Sequence, residues 1–201
     1  YGNIRIMLPM VSNVSELIET KKIINEVKFE LRKTNKKIRI KSPKIGVLIE
    51  TPAAALISES LAKNCDFFAI GTNDLTMYTL AIDRGDEEVA KIYDPGHLSV
   101  LKLIEMSAKS AKKNKIPISV CGEMAGDTIF TSMLIGMGIR TLSMSTSRIL
   151  RVKQFLSIVN TYEVKKISDN ILKEDDNVLI KNLLINYYNK TNLRIKIRKN
   201  G

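Results

Sequence analysis

An α/β fold with a parallel sheet, read as the C-terminal portion of a (β/α)₈ barrel of the TIM type, follows from three observations. Short apolar runs bounded by turn residues alternate with helical patterns; their order is serial and unreversed; and two of the runs, Gly46 to Ile49 and Phe67 to Gly71, lead straight into the polar residues Glu50 and Asn73-Asp74. Alternation of this kind implies parallel strands joined by crossover helices. Serial order suits a barrel, whose usual length is about 250 residues. The chain has 201 residues and roughly five βα units, too few to close one, so the units are expected to be strands 4 to 8 followed by extra helices. The opening on Tyr1, with the first strand following at once, fits a fragment or a shortened form.

Each element has its own signal. Ile4 to Met10 is short and apolar. Asn13 with Glu16 makes a capping-box-like start, after which Val14, Leu17, Ile18, Ile24, Val27 and Leu31 recur at helical spacing over about twenty residues. A Lys-rich link leads to the strand ending at Glu50, then a helix from about Pro52 to Lys63, the strand Phe67 to Gly71 and a short helix beginning near Asn73. Leu98 to Asn114 reads as an amphipathic helix, Pro117 to Cys121 as a strand, Thr128 to Met137 as a helix and Thr141 to Ser145 as the last strand. Further helices are expected near Arg151 to Asn160 and Glu163 to Lys190. The domain is thus expected to span 1–190, with 191–201 as a solvated basic tail.

Composition narrows the class. Apolar residues make up 44% and charged residues 26%, as in ordinary globular proteins, and no apolar stretch approaches the eighteen residues of a membrane span. The net charge of +11 is spread over amphipathic helices among many Ile and Asn, so it is not read as a nucleic-acid footprint. Cys65 and Cys121 have no metal-ligand spacing, and with no export signal in view a reducing cytoplasm is expected, without a structural disulfide.

The chemistry is expected at the carboxyl ends of the strands, where barrels place their sites. Glu50, Asn73, Asp74 and Cys121 all follow apolar runs. A lone carboxylate there is usually a helix cap. Two at equivalent places form a pair of hard oxygen ligands suited to Mg²⁺, which completes its octahedron with water and phosphate oxygens. The substrate is therefore expected to be phosphorylated. His97, the one histidine, sits in Asp94-Pro95-Gly96-His97-Leu98 and reads as structural, at the start of a helix.

Six segments carry a more specific likeness: Arg5-Ile6-Met7-Leu8-Pro9-Met10, Glu50-Thr51-Pro52-Ala53-Ala54-Ala55, Gly71-Thr72-Asn73-Asp74-Leu75-Thr76, Ala81-Ile82-Asp83-Arg84-Gly85, Cys121-Gly122-Glu123-Met124-Ala125-Gly126 and Ser143-Met144-Ser145. In order and spacing they resemble the phosphoenolpyruvate-binding barrel of enzyme I of the bacterial phosphoenolpyruvate:sugar phosphotransferase system, over roughly residues 3 to 190. The resemblance implies that Glu50 and Asp74 ligate Mg²⁺, that Arg5, Asn73, Asp74 and Arg84 bind phosphoenolpyruvate, and that Cys121 protonates C3 of the enolate to give pyruvate. Arginine suits such a substrate because its planar, permanently charged fork matches both phosphate and carboxylate. The family's acceptor histidine lies on a separate N-terminal domain, from which phosphate passes to a phosphocarrier protein to begin sugar uptake; the family also pairs as homodimers through this domain.

The chain departs from the family pattern at Ser145-Thr146-Ser147-Arg148-Ile149, where Ala-Ile-Ser-Ile-Pro is usual, and at Met77. Two rival readings stand beside the main one. A fragment of pyruvate phosphate dikinase or phosphoenolpyruvate synthase would share the Gly-Thr-Asn-Asp block and use ATP. A barrel remnant would serve only for dimerisation.

Overall fold

The computed structural model describes residues 3–34, 42–83, 89 and 92–200. Five strands, β1 (Arg5–Leu8), β2 (Lys44–Ile49), β3 (Phe67–Gly71), β4 (Ile118–Cys121) and β5 (Thr141–Leu142), form one sheet in the order β1-β2-β3-β4-β5, every neighbouring pair parallel. Between and after them lie α1 (Val14–Thr34), α2 (Pro52–Leu56), α3 (Ser58–Ala62), α4 (Thr72–Leu80), α5 (Leu98–Lys113), α6 (Glu123–Gly126), α7 (Thr128–Gly136), α8 (Thr146–Leu156), α9 (Thr161–Ile171) and α10 (Asn177–Asn200). The α/β architecture is the expected one.

Register divides the strand residues into two faces. Ile6, Leu8, Ile45, Val47, Ile49, Phe68, Ile70, Ile118, Val120 and Leu142 share one face, because parallel partners point the same way and side chains alternate along each strand. That face is apolar throughout, and Val47, Ile49, Ile70 and Val120 on it are fully buried in the main core with Leu17, Leu61, Leu101 and Ile104 of the helices. The other face carries Arg5, Met7, Gly46, Leu48, Glu50, Phe67, Ala69, Gly71, Ser119, Cys121 and Thr141, a mixture of small, polar, charged and large apolar residues. Gly46 is required there: a Cβ would come within 2.3 Å of the Phe67 ring lying across it.

Local signals explain the helix boundaries. The expected capping box holds at α1, where Glu16 accepts the N–H groups of Ser12 (2.8 Å) and Asn13 (3.1 Å) and the Asn13 side chain accepts that of Ser15. Thr51 caps α2 by accepting the Ala54 N–H at 3.1 Å, and Pro52 fills the first helical position, where its missing N–H costs nothing. His97 caps α5, its Nδ1 accepting the Ser99 N–H at 3.2 Å, which gives the chain's one histidine the structural role expected of it.

Four boundaries differ from expectation. The helix foreseen from Pro52 to Lys63 is two, because Ile57 leaves helical geometry at φ −98°, ψ 16°. β5 is shorter than expected, and the next helix starts at Thr146 rather than Arg151. The stretch Glu163 to Lys190 divides into α9 and α10, since the Asp176 side chain accepts the Val178 N–H at 2.7 Å and so caps a new helix. α10 itself runs to Asn200, with Thr191 buried. α7, α8, α9 and α10 enclose a second small core of Ile135, Phe155, Val164 and Tyr187, where Gly136 lets α7 approach α9. No helix among the described residues is long and apolar enough to cross a membrane.

Candidate functional site

Glu50, Gly71 and Cys121 form one row across the carboxyl edge of the sheet, as the register of β2 with β3 and of β3 with β4 dictates. Glu50 is only 4% exposed, and the Met10 N–H donates to its Oε1 at 2.8 Å. Met10 presents that N–H from the left-handed region, at φ 53°, where a non-glycine residue is uncommon. Thr51 Oγ1 donates to the Val11 carbonyl at 2.9 Å and so ties the loop after β1 to the loop after β2. Gly71 leaves room for the carboxylate: a Cβ there would lie 3.0 Å from Glu50 Cβ and 3.1 Å from Oε2.

Asp74, in the first turn of α4, brings its carboxylate within hydrogen-bonding reach of Glu50. Burial pushes the Glu50 carboxyl above its ordinary range; the Met10 N–H opposes this, and Asp74 pushes it further up. Two adjacent carboxylates, one deeply buried and supported by a single N–H, form a site of unbalanced negative charge. That fits a hard divalent cation, which needs only one or two protein carboxylates when water and substrate oxygens supply the rest. Among the described residues, no group of three or more His, Cys, Asp or Glu side chains converges on a metal position.

The neighbouring loops are knitted together. Thr72 Oγ1 donates to the Cys121 carbonyl at 3.0 Å, and the Glu123 N–H donates to Asn73 Oδ1 at 3.1 Å. That second bond orients the Asn73 amide, because only its oxygen can accept, and leaves the NH₂ group as a donor. Gly122 makes the approach possible at φ 92°, where a Cβ would also sit 2.7 Å from Thr72 Oγ1. Cys121 is half-buried, and its thiol contacts the Ile70 carbonyl at 3.3 Å. Burial raises the thiol above its ordinary value, and the nearby charges of Glu50 and Asp74 raise it further, so it holds its proton at neutral pH. Cys65, at the far end of β3, is buried and pushed up to about 11, chiefly by burial, with Lys21 and Asp66 as its charged neighbours.

Glu50, Asn73, Asp74 and Cys121 are thus brought together. Arg5 is not. It pairs in register with Lys44 at the opposite end of the strands, six residues and therefore about 20 Å from Glu50. Its guanidinium stacks over the Phe67 ring, 5.6 Å from the centroid. The expectation that Arg5 binds substrate is corrected on this ground: it begins its strand, whereas the site lies where strands end. Arg84 falls outside the described residues.

Sequence reasoning missed three contributors. Met10 acts through its backbone, which no side-chain motif reveals. Gly71 acts through an absent Cβ. Arg148, in the stretch that departs from the family pattern, lines a cleft of about 570 Å³ together with Asn73, Cys121, Gly122 and Glu123.

Comparison with known proteins identifies the family of the chain. Residues 1–161 match the family described as PEP-utilising enzyme, PEP-binding domain. Proteins named phosphoenolpyruvate-protein phosphotransferase are similar: that of Haemophilus influenzae is 40% identical over 87% of this chain and 30% of its own length, that of Buchnera aphidicola 39% over 94% and 33%, and that of Mycoplasma genitalium 35% over 97% and 33%. The chain spans about a third of the length of these relatives. The match over most of the chain, joined to the buried carboxylate pair beside Asn73 and Cys121, means that this chain belongs to the PEP-utilising enzymes, through their PEP-binding domain.

Proposed function

We propose that this chain is the phosphoenolpyruvate- and Mg²⁺-binding part of a phosphoenolpyruvate-protein phosphotransferase, acting in the cytoplasm at the start of sugar uptake. The observation that carries the reading is the Glu50–Asp74 carboxylate pair at the same sheet edge as Asn73 and Cys121. The names of the relatives favour this over a dikinase or synthase fragment and over a non-catalytic remnant.

The residues would divide the work as follows. Glu50 and Asp74 hold Mg²⁺, which when bound neutralises charge on the phosphoryl group and its leaving oxygen. Met10 fixes the direction of the Glu50 carboxylate. Asn73, its oxygen occupied by Glu123, offers its NH₂ group to a substrate oxygen. Arg84 is proposed as a further ligand of the substrate anion. Cys121 keeps a proton on Sγ in a site whose burial and negative charge disfavour the thiolate, as a general acid for C3 of the enolate must. The acceptor histidine would be supplied from elsewhere in a longer protein, and His97 caps α5 through Nδ1.

The strand order supports a barrel as well. Consecutive parallel strands, joined by crossovers of the usual right hand, would place their helices on one face, as in a (β/α)₈ barrel, and the opposite face here carries Glu50, Gly71, Ser119, Cys121 and Thr141. We read the five strands as strands 4 to 8. A homodimer and a phosphocarrier protein belong to this reading as partners of the longer protein.

Titration of phosphoenolpyruvate into the chain with Mg²⁺, followed by NMR shifts of the Asn73 and Gly122 amides, tests the site. Binding should be weak, Mg²⁺-dependent and abolished by Glu50→Gln or Asp74→Asn. Either nearly isosteric variant binding like the unaltered chain would sink the assignment.

A further inference from the structure

The cleft beside Cys121 has a wall that the phosphotransfer reading leaves without a task. Glu50 follows β2, Asp74 lies in α4 after β3, Cys121 ends β4 and Arg148 lies in α8 after β5, so the edge runs from two carboxylates through a thiol to a cation. Arg148 lines the same cleft as Asn73 and Cys121, on the side away from the carboxylate pair.

Arg148 is exposed on the wall of the cleft, and its head is open to solvent. Among the described residues its guanidinium makes no hydrogen bond or ion pair, although Glu123 and Asp127 line the same cleft; the Asp127 side chain is engaged with the Ile129 N–H at 2.9 Å. It stands in the first turn of α8, which has no acidic residue, so its charge opposes the helix dipole there. Only the stem is anchored: a Cβ on Gly126 would meet Arg148 Cγ at 3.2 Å and Cβ at 3.3 Å, which shows how closely the stem lies on α6. An anchored stem and an unpartnered head on the wall of a cleft are what an anion-binding arginine requires.

We propose that Arg148 is a positioning and specificity residue that binds an anionic group of the substrate on the β5 side of Cys121. This rests on the phosphoenolpyruvate reading and adds to it a cation from a stretch where the chain departs from its family's usual pattern. The substrate would lie in the cleft with an anionic oxygen toward Arg148 and its carbon skeleton beside the Cys121 thiol. The shared chemistry is an oxyanion, carried on phosphoenolpyruvate by both phosphate and carboxylate.

The test compares the unaltered 201-residue chain with Arg148→Gln, Arg148→Lys and Glu50→Gln, titrated with phosphoenolpyruvate and Mg²⁺, with inorganic phosphate and with pyruvate, a melting curve beside each. Gln keeps the Cβ and Cγ that pack on Gly126, so the fold should survive. Arg148→Gln should weaken phosphoenolpyruvate binding roughly tenfold to a hundredfold, the range of a charge-assisted hydrogen bond, at an unchanged melting temperature. Arg148→Lys should recover part of the loss. Loss of phosphate binding alone would assign Arg148 to the phosphate, and loss of pyruvate binding alone to the carboxylate. Binding that depends on Glu50 but is the same in Arg148→Gln as in the unaltered chain would overturn this inference and leave the phosphoenolpyruvate reading standing. So would a loss that tracks a lowered melting temperature and is not rescued by Lys. No binding of phosphoenolpyruvate by the unaltered chain would remove both.

Discussion

The two faces of the sheet obey different rules, and neighbouring residues show it. Ile70 points to the helices, is fully buried and belongs to the main core; Gly71, one residue on, points the other way and has no side chain at all. On the first face each position satisfies stability: β-branched and aromatic residues pack against helices, and nothing charged intrudes. On the second, Glu50 is held dry beside another carboxylate, Met10 adopts a left-handed backbone, and Gly122 turns where a Cβ would collide. Each of these opposes stability locally, so the site persists because the other face holds the strands in place. Burying a carboxylate beside a like charge is unfavourable unless something else balances it, which is why such places mark function.

Substitutions on either face sharpen this contrast. The largest expected effect is at Ile70. Ile70→Ala leaves a cavity in the core and should cost about 2–5 kcal/mol in denaturant unfolding, while folded molecules keep their affinity for phosphoenolpyruvate. If affinity fell and stability did not, the division of labour between the faces would be wrong.

Gly71→Ala should do the reverse in proportion. The backbone at φ −88° accepts alanine, so the effect is steric: the new methyl presses on the Glu50 carboxylate. About 1–3 kcal/mol of stability should be lost, as for other overpacked sites. Mg²⁺-dependent binding should fall at least tenfold, read in the same NMR titration. Intact binding would mean that the Glu50 carboxylate does not need its present position.

The smallest effect is expected at Arg5, which lies on the site face but at the wrong end of it. Arg5→Ala removes one exposed cation–π contact with Phe67 and should cost about 0.5–1 kcal/mol, with phosphoenolpyruvate affinity unchanged. A tenfold loss of affinity would restore Arg5 to the substrate site.

Much of this molecule was legible in the chain itself. Apolar runs and helical periodicity located all five strands and most helices, because burial on a regular element leaves a repeating signature of one side chain in two or in three to four. Asn13 with Glu16 and Thr51-Pro52 named their own caps, since capping is settled within four residues. The placement of Glu50, Asp74 and Cys121 at strand ends followed from the same periodicity. What required tertiary structure were the relations between distant segments. The sequence alone makes Arg5 attractive as a substrate ligand, whereas register puts it beside Lys44, at the strand end away from Glu50. The N–H of Met10, the room left by Gly71 and the unpartnered charge of Arg148 carry no mark in the sequence. Each matters only through an atom contributed by another strand or loop, and long-range proximity of that kind is decided by packing, not by local preference.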